Sequence, residues 1–212
     1  DLPAFGRSAL PPDFDSSLEG MAAWVNDLVD ALGLVQPIDL VVHDFGGIFG
    51  IGWSVLHPER VRRMCIMNTV FFPDYRWHFW ARVWRTPLLG ELSFALNTGA
   101  GLVLEMRRGS KRLPVAYARK AYAAMTPVME KMVLRLYRAT DPRDFASWQQ
   151  GLEHLMARVP AIVLWGDRDP YIDKKYAERF GARHVHHFAD AGHWLPVEDP
   201  GTVAAHLLSF FH

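Results

Sequence analysis

The spacing of apolar and polar positions changes twice along this chain. Residues 9–17 carry the breakers Pro11, Pro12 and Asp13 and read as loop. Beyond them Met21, Trp24, Val25, Leu28, Val29 and Leu32 recur at helical spacing. Ser16 or Ser17 offers a cap and Gly33 a stop, so the pattern predicts a helix over 18–32. A short apolar run then predicts a buried strand over 38–43, and a helix follows over about 47–57 with Pro58 beyond it. Residues 61–68 read as a second strand. Strand, helix and strand in this order imply a parallel sheet with right-handed crossovers.

From Val70 to Val159 no strand pattern appears. Helical patterns occupy roughly 77–85, 88–97, 99–107, 114–123, 126–139 and 144–157. Helices without strands, placed between two strands, predict a cap over the sheet. The first of them carries Trp77, Phe79, Trp80 and Trp84, which read as cap core or as pocket wall. The strand rhythm returns at 161–165 and 183–188, with a helix expected over 173–180 and another over 200–211. The expected organisation is a core of residues 1–69 and 160–212 interrupted by a cap of residues 70–159.

Composition narrows the function classes. The chain has 212 residues, with 23 Lys and Arg against 23 Asp and Glu. Such a balance points to neither nucleic acid nor a membrane surface as partner. No apolar run is long enough to span a bilayer. The single cysteine, Cys65, rules out an internal disulfide and fits a reducing, cytoplasmic location. Cys65 sits inside an apolar run and reads as packing.

Chemistry concentrates at strand ends. Residues 39–50 run Asp-Leu-Val-Val-His-Asp-Phe-Gly-Gly-Ile-Phe-Gly. Strand, polar residue, glycines and helix describe the sharp turn that presents a nucleophile above a parallel sheet. Asp44 takes that place, at a helix start that favours an anion. A carboxylate there can attack carbon and form an ester that water later splits; its other reading is a helix cap. Gly46 and Gly47 are expected to be required because a side chain would collide with the turn. Two further polar groups follow strand ends, the Asp167/Asp169 pair and His193. Nucleophile, acid and histidine in this order suit a mechanism in which the histidine activates water and the acid orients it.

With these residues the chain resembles the α/β-hydrolase superfamily, in its haloalkane dehalogenase and epoxide hydrolase branch. The resemblance rests on Asp1-Leu2-Pro3-Ala4-Phe5-Gly6-Arg7-Ser8, Val42-His43-Asp44-Phe45-Gly46-Gly47, His57-Pro58-Glu59-Arg60-Val61, Trp165-Gly166-Asp167-Arg168-Asp169 and Gly192-His193. It implies an α/β-hydrolase fold of about four parallel strands with a helical cap. It also implies that Asp44 is the nucleophile, Asp169 rather than Asp167 the acid, and His193 the base. Epoxide opening through an alkyl ester on Asp44 is the expected reaction on a small apolar substrate, with water and no cofactor or metal. Haloalkane dehalogenation is the alternative. Dehalogenases usually carry Trp after the aspartate, and here Phe45 offers only its backbone N–H as leaving-group donor. A non-catalytic ligand-binding protein of this fold is the alternative from another class.

Trp77, Trp80, Trp84, Tyr137 and Trp194 are expected to line the substrate pocket, and Tyr117 and Tyr122 join Tyr137 as proton-donor candidates. The resemblance also implies that earlier strands and a loop donor are missing. The strand over 38–43 is then a bare edge, and self-association through it is expected. His43 reads as a hydrogen-bonded core residue pointing away from Asp44. His184 and His186 share a strand face; that face reads as polar surface rather than as a metal site. Arg62 and Arg63 read as a solvated strand entry.

Overall fold

The computed structural model describes residues 1–212. Helix α1 spans Leu18–Ala31, and Ser17 caps it by accepting the Gly20 N–H at 3.1 Å. Strand β1 is Ile38–His43 and helix α2 is Asp44–Leu56. The helix therefore starts on Asp44 itself, three residues before the sequence pattern suggests. Strand β2 is Val61–Met67. The cap follows with α3 (Phe79–Arg85), α4 (Leu89–Ala95), α5 (Gly99–Gly109), α6 (Val115–Ala123) and α7 (Pro127–Ala139). A 3₁₀ stretch over Pro142–Trp148 leads into α8 (Gln149–Arg158).

The sheet resumes with β3 (Ala161–Gly166) and β4 (His184–Phe188), and α9 (Leu195–Glu198) and α10 (Pro200–Phe211) close the chain. Residues 173–180 are two 3₁₀ turns, Lys174–Tyr176 and Glu178–Phe180, rather than one helix. Gly181 stops them in the left-handed region at φ 72°.

The four strands pair in parallel in the order β1-β2-β3-β4. Both faces of the central strands are buried, as parallel sheets require. Met64, Ile66, Ala161, Val163 and Trp165 face one cluster, which includes α1, α2 and α8 side chains such as Met21, Trp53 and Leu155. Cys65, Met67, Ile162 and Leu164 face the other, closed by Leu195 and Val203. Burial pushes the Cys65 thiol up to about 12, so it packs as a neutral side chain. β1 pairs on one side only.

Asp39 near the start of β1 binds both Arg62 and Arg63. Arg63 is not simply solvated: it also donates to the Phe210 and Phe211 carbonyls, tying α10 to the sheet. His186 packs against His206 of α10 at 4.3 Å between ring centroids.

α8 packs against α2 in the layer beside the sheet, where a side chain at Gly151 would meet Val55. Side chains from all of α3 to α7 line one cavity with Asp44, which follows the carboxyl end of β1. Two arginines fasten α3, α4 and α7 together. Arg85 donates to the carbonyls of Tyr137 and Thr140, and Arg138 to the carbonyl of Trp84 and both carboxylate oxygens of Glu91.

Candidate active site

Asp44 occupies the bend between β1 and α2 with φ 51°, a left-handed conformation unfavourable for a residue with a side chain. Its neighbours fix the bend. Its N–H donates to the Asn68 carbonyl at 3.3 Å, and its own carbonyl accepts from Thr69 Oγ1 at 2.6 Å. A Cβ on Gly47 would lie 2.2 Å from that Thr69 oxygen, so glycine is obligatory there. Gly46 has open space at the same test, which corrects the expectation that both glycines are sterically required.

The Asp44 side chain is 45% accessible and looks into a cavity of about 570 Å³ lined chiefly by apolar side chains. His193 Nε2 lies 3.7 Å from Asp44 Oδ1, and His193 Nδ1 lies 2.7 Å from Asp169 Oδ2. The structure thus brings together the three residues that sequence placed at three strand ends. Asp169 also accepts the Tyr171 N–H at 2.7 Å, the Ile172 N–H at 3.1 Å and Asn68 Nδ2 at 2.9 Å. Asp167 turns elsewhere, to His187 Nδ1 at 2.5 Å.

Charge in this trio is mutually stabilised. Burial opposes ionisation of Asp44, but His193, His43 and the Phe45 N–H outweigh it and hold the carboxyl at about 2. Burial likewise opposes a charge on His193, and the Asp169 and Asp44 carboxylates overcome it, raising the imidazole to about 10. The two shifts have a common cause: the charged forms of Asp44 and His193 favour each other.

His43 does not lie away from the site. Its Nε2 donates to the His193 carbonyl at 2.8 Å and its ring is 4.9 Å from the His193 ring. Burial and the His193 charge push its own pKa down, so it serves as a neutral backbone tie.

Trp77, Trp80, Trp84, Tyr137 and Trp194 line this cavity, together with Phe45. Phe45 stacks on Trp77 at 5.9 Å and meets the Tyr137 edge at 4.7 Å. The Trp194 ring stands at 86° to His193. Trp77 keeps its indole N–H buried without a partner. Tyr75 donates its hydroxyl to the Tyr171 carbonyl and Tyr171 donates to Glu105, whereas the Tyr137 hydroxyl has no protein partner. Tyr117 and Tyr122 are 42% and 37% exposed and line no part of the cavity.

Two residues of the site escape the sequence patterns. Asn68, read as strand, lies one residue past β2 at φ 31° and is fully buried. Besides Asp169 it binds the Gly166 carbonyl at 3.1 Å and the Gly166 N–H at 2.9 Å. A polar residue after a fourth strand end was the available signal. His78 caps α3 with Nδ1 accepting the Ala81 N–H at 3.3 Å, which places its proton on Nε2. Burial pushes His78 down to about 4, so the ring is neutral and lines the cavity with an N–H to offer. Histidine is an unusual cap, which hid it.

Comparisons with known proteins show the family of the chain. The family described as alpha/beta hydrolase fold matches residues 1–200. A cis-3-alkyl-4-alkyloxetan-2-one decarboxylase of Shewanella oneidensis is 30% identical, over 97% of this chain and 70% of its own length. Epoxide hydrolase 4 of Mus musculus is 23% identical, over 99% of this chain and 64% of its own length. Among solved structures, a meta-cleavage product hydrolase of Pseudomonas fluorescens superposes with a TM-score of 0.80 at 19% identity, covering 100% of this chain and 77% of that one. The sheet, the family match and the relatives together place this chain in the α/β-hydrolase family.

Proposed function

We propose that the chain opens a strained oxygen ring on an apolar substrate through an alkyl ester on Asp44. One observation carries the reading: an ionised aspartate at the nucleophile bend faces an apolar cavity within 3.7 Å of a histidine whose other nitrogen is held by a buried carboxylate.

For an epoxide the steps balance as follows. An Asp44 oxygen attacks a ring carbon as the C–O bond breaks, and the ring oxygen leaves with the electron pair. The Tyr137 hydroxyl and the His78 N–H face the cavity as its donors. The His193 imidazolium supplies the proton, because esterification removes the Asp44 charge that helped hold it. Neutral His193 then takes a proton from water, and the hydroxide formed attacks the ester carbonyl. The tetrahedral oxyanion meets the Phe45 N–H. Collapse releases the diol and restores Asp44.

A second ring class is favoured by the decarboxylase relative, whose name specifies a β-lactone with two alkyl chains. The cavity volume and its apolar wall suit two such chains. Attack of Asp44 on the alkyl carbon of the lactone C–O bond would release a carboxylate. Loss of that group as carbon dioxide would form an alkene and expel Asp44, with no water consumed. Dehalogenation finds less support, since Phe45, the residue after the nucleophile, has no side-chain donor.

The test uses a His193→Gln variant exposed separately to aliphatic epoxides and to dialkyl β-lactones. Peptide mass spectrometry is expected to find an alkyl ester on Asp44 in the epoxide arm, where wild-type protein yields diol. Alkene and carbon dioxide from wild type in the other arm would select the lactone. An unmodified Asp44 in both arms, in a folded protein without turnover, overturns the reading.

A further inference from the structure

The overall charge balance conceals a division. Residues 70–159 carry fourteen Lys and Arg against seven Asp and Glu, while the rest of the chain carries nine against sixteen. The inserted helices are basic and the sheet portion is acidic.

Several strongly exposed apolar side chains lie on the same inserted segment. Leu92 and Leu96 follow one another at four-residue spacing at the end of α4, on one face, and are 52% and 70% exposed; Leu88, the non-helical residue just before α4, is 81% exposed. Leu89 beside them is 52% exposed. The opposite side of α4 is already in use: Gly90 is buried against Leu134, and Ser93 and Phe94 line the cavity. This short helix is therefore apolar on both sides, and only one side is covered. Its single acid, Glu91, is neutralised by two bonds to Arg138 at 2.8 and 2.9 Å. Exposed leucines in a row mark an interaction surface more often than chance decoration.

The stripe leads to the cavity entrance. Leu96, Thr98 and Gly101 are exposed and also line the cavity, so it opens at the link between α4 and α5. Cations surround that opening. A Cβ on Gly99 would lie 3.2 Å from the Tyr122 ring, which brings the end of α6, with exposed Arg119 and Lys120, beside the link. Exposed Arg82 stands on α3, which packs against α4. The ion pairs of the inserted segment use Arg85, Arg108, Arg112, Arg138 and Arg143 instead.

We propose that this face docks on an anionic lipid surface. The leucines of α4 enter the headgroup layer, and Arg82, Arg119 and Lys120 meet lipid phosphates around the entrance. No helix is long and apolar enough to cross a membrane, so the contact is interfacial. An apolar substrate would then pass from the bilayer into the cavity without crossing water. That last step rests on the function proposed above; the docking does not.

The test is co-sedimentation of the full chain with phosphatidylcholine vesicles, with and without phosphatidylglycerol. Wild type is expected to bind the anionic vesicles at least about tenfold more tightly, and added salt should weaken binding. A Leu88→Glu/Leu92→Glu/Leu96→Glu variant is expected to lose that binding while its thermal unfolding stays unchanged, because all three side chains are exposed. An Arg119→Glu/Lys120→Glu variant should lose the anionic preference. An Asp44→Asn variant should bind as wild type does, which separates docking from chemistry. Docking is overturned if wild type ignores both vesicle types or binds them regardless of salt. It is also overturned if wild type is a dimer that the triple leucine variant splits, which assigns the face to a second copy.

Discussion

The sheet portion and the inserted helices build the same cavity by different means. Below, Asp44, Asp169 and His193 each follow a strand end, and backbone groups or short buried side chains pin them. Asp169 alone accepts from two main-chain N–H groups, Asn68 and His193. Above, the wall is aromatic stacking, with Trp84 4.8 Å from Tyr137 and 5.8 Å from Phe94. Arginine side chains, not a shared ladder, hold those helices to one another. The difference teaches that hydrogen bonds pin the floor while ring packing shapes the wall, which suits the proposed roles of a floor for bond making and a wall for choosing what enters.

The largest expected effect breaks the floor. Asp44→Asn keeps the size and polarity of the side chain but removes the nucleophile. Turnover should fall on the order of 10⁴-fold or more, without loss of substrate binding. Residual turnover close to wild type would show that the bend does not carry the reaction.

His78→Asn tests whether any wall residue belongs with the floor. Asn still caps α3 but is too short to present a donor to the cavity. A fall in kcat of roughly 10²-fold, with little change in KM, is expected from losing one leaving-group donor. An effect confined to KM would return His78 to the wall.

Asn68→Ala removes a hydrogen bond from Asp169 and takes the Asn68 partner from the Gly166 N–H, while the Gly166 carbonyl keeps the Asp169 N–H at 3.3 Å. A loss of about 10-fold to 100-fold in kcat/KM, equivalent to ~1.5–3 kcal/mol, is expected, with a lowered Tm. Unaltered kcat with a lowered Tm would make Asn68 purely structural.

These positions also show what the sequence could reveal. Continuous apolar runs placed β2 and β3, because both faces of those strands are buried. The trio of Asp44, Asp169 and His193 was legible because each follows a predicted strand, with Gly46 and Gly47 just after Asp44 and Gly192 just before His193. Asn68 was folded into the strand pattern, since the backbone turn at φ 31° leaves no local mark. In the cap the helices were legible and their purpose was not. Trp77, Phe79, Trp80 and Trp84 share one segment, yet Phe79 is 56% exposed while the three tryptophans line the cavity. Only contacts with distant elements decide which way each ring turns. The same holds for Asp167 and Asp169, which only Arg168 separates in sequence and which bind different histidines.

The floor also carries a pH signature. His193 has a folded pKa near 10, above the ~6.5 of an unfolded histidine. Its contribution to stability is complete below pH ~6.5, declines as pH rises, and is gone above about 10. Asp44 works in the opposite sense. Its folded value near 2 lies below the unfolded one, so its contribution holds above pH ~4 and disappears as pH falls through about 2. Tm measured from pH 6 to pH 10 should fall more steeply in wild type than in His193→Gln. Parallel curves would mean that the imidazolium is not held between the two carboxylates.

The smallest effect is expected in the wall. Arg85 uses its fork to reach the carbonyls of both Tyr137 and Thr140. Arg85→Lys keeps the charge but cannot hold both carbonyls in the same way. Losing one such bond is worth roughly 1 kcal/mol, about fivefold in an equilibrium constant. Since Tyr137 sits on the cavity wall, looser packing should raise KM by that order and leave kcat within twofold or so. If kcat falls instead and KM holds, Tyr137 is being positioned for the bond-breaking step, and the boundary between floor and wall must be drawn above that residue rather than below it.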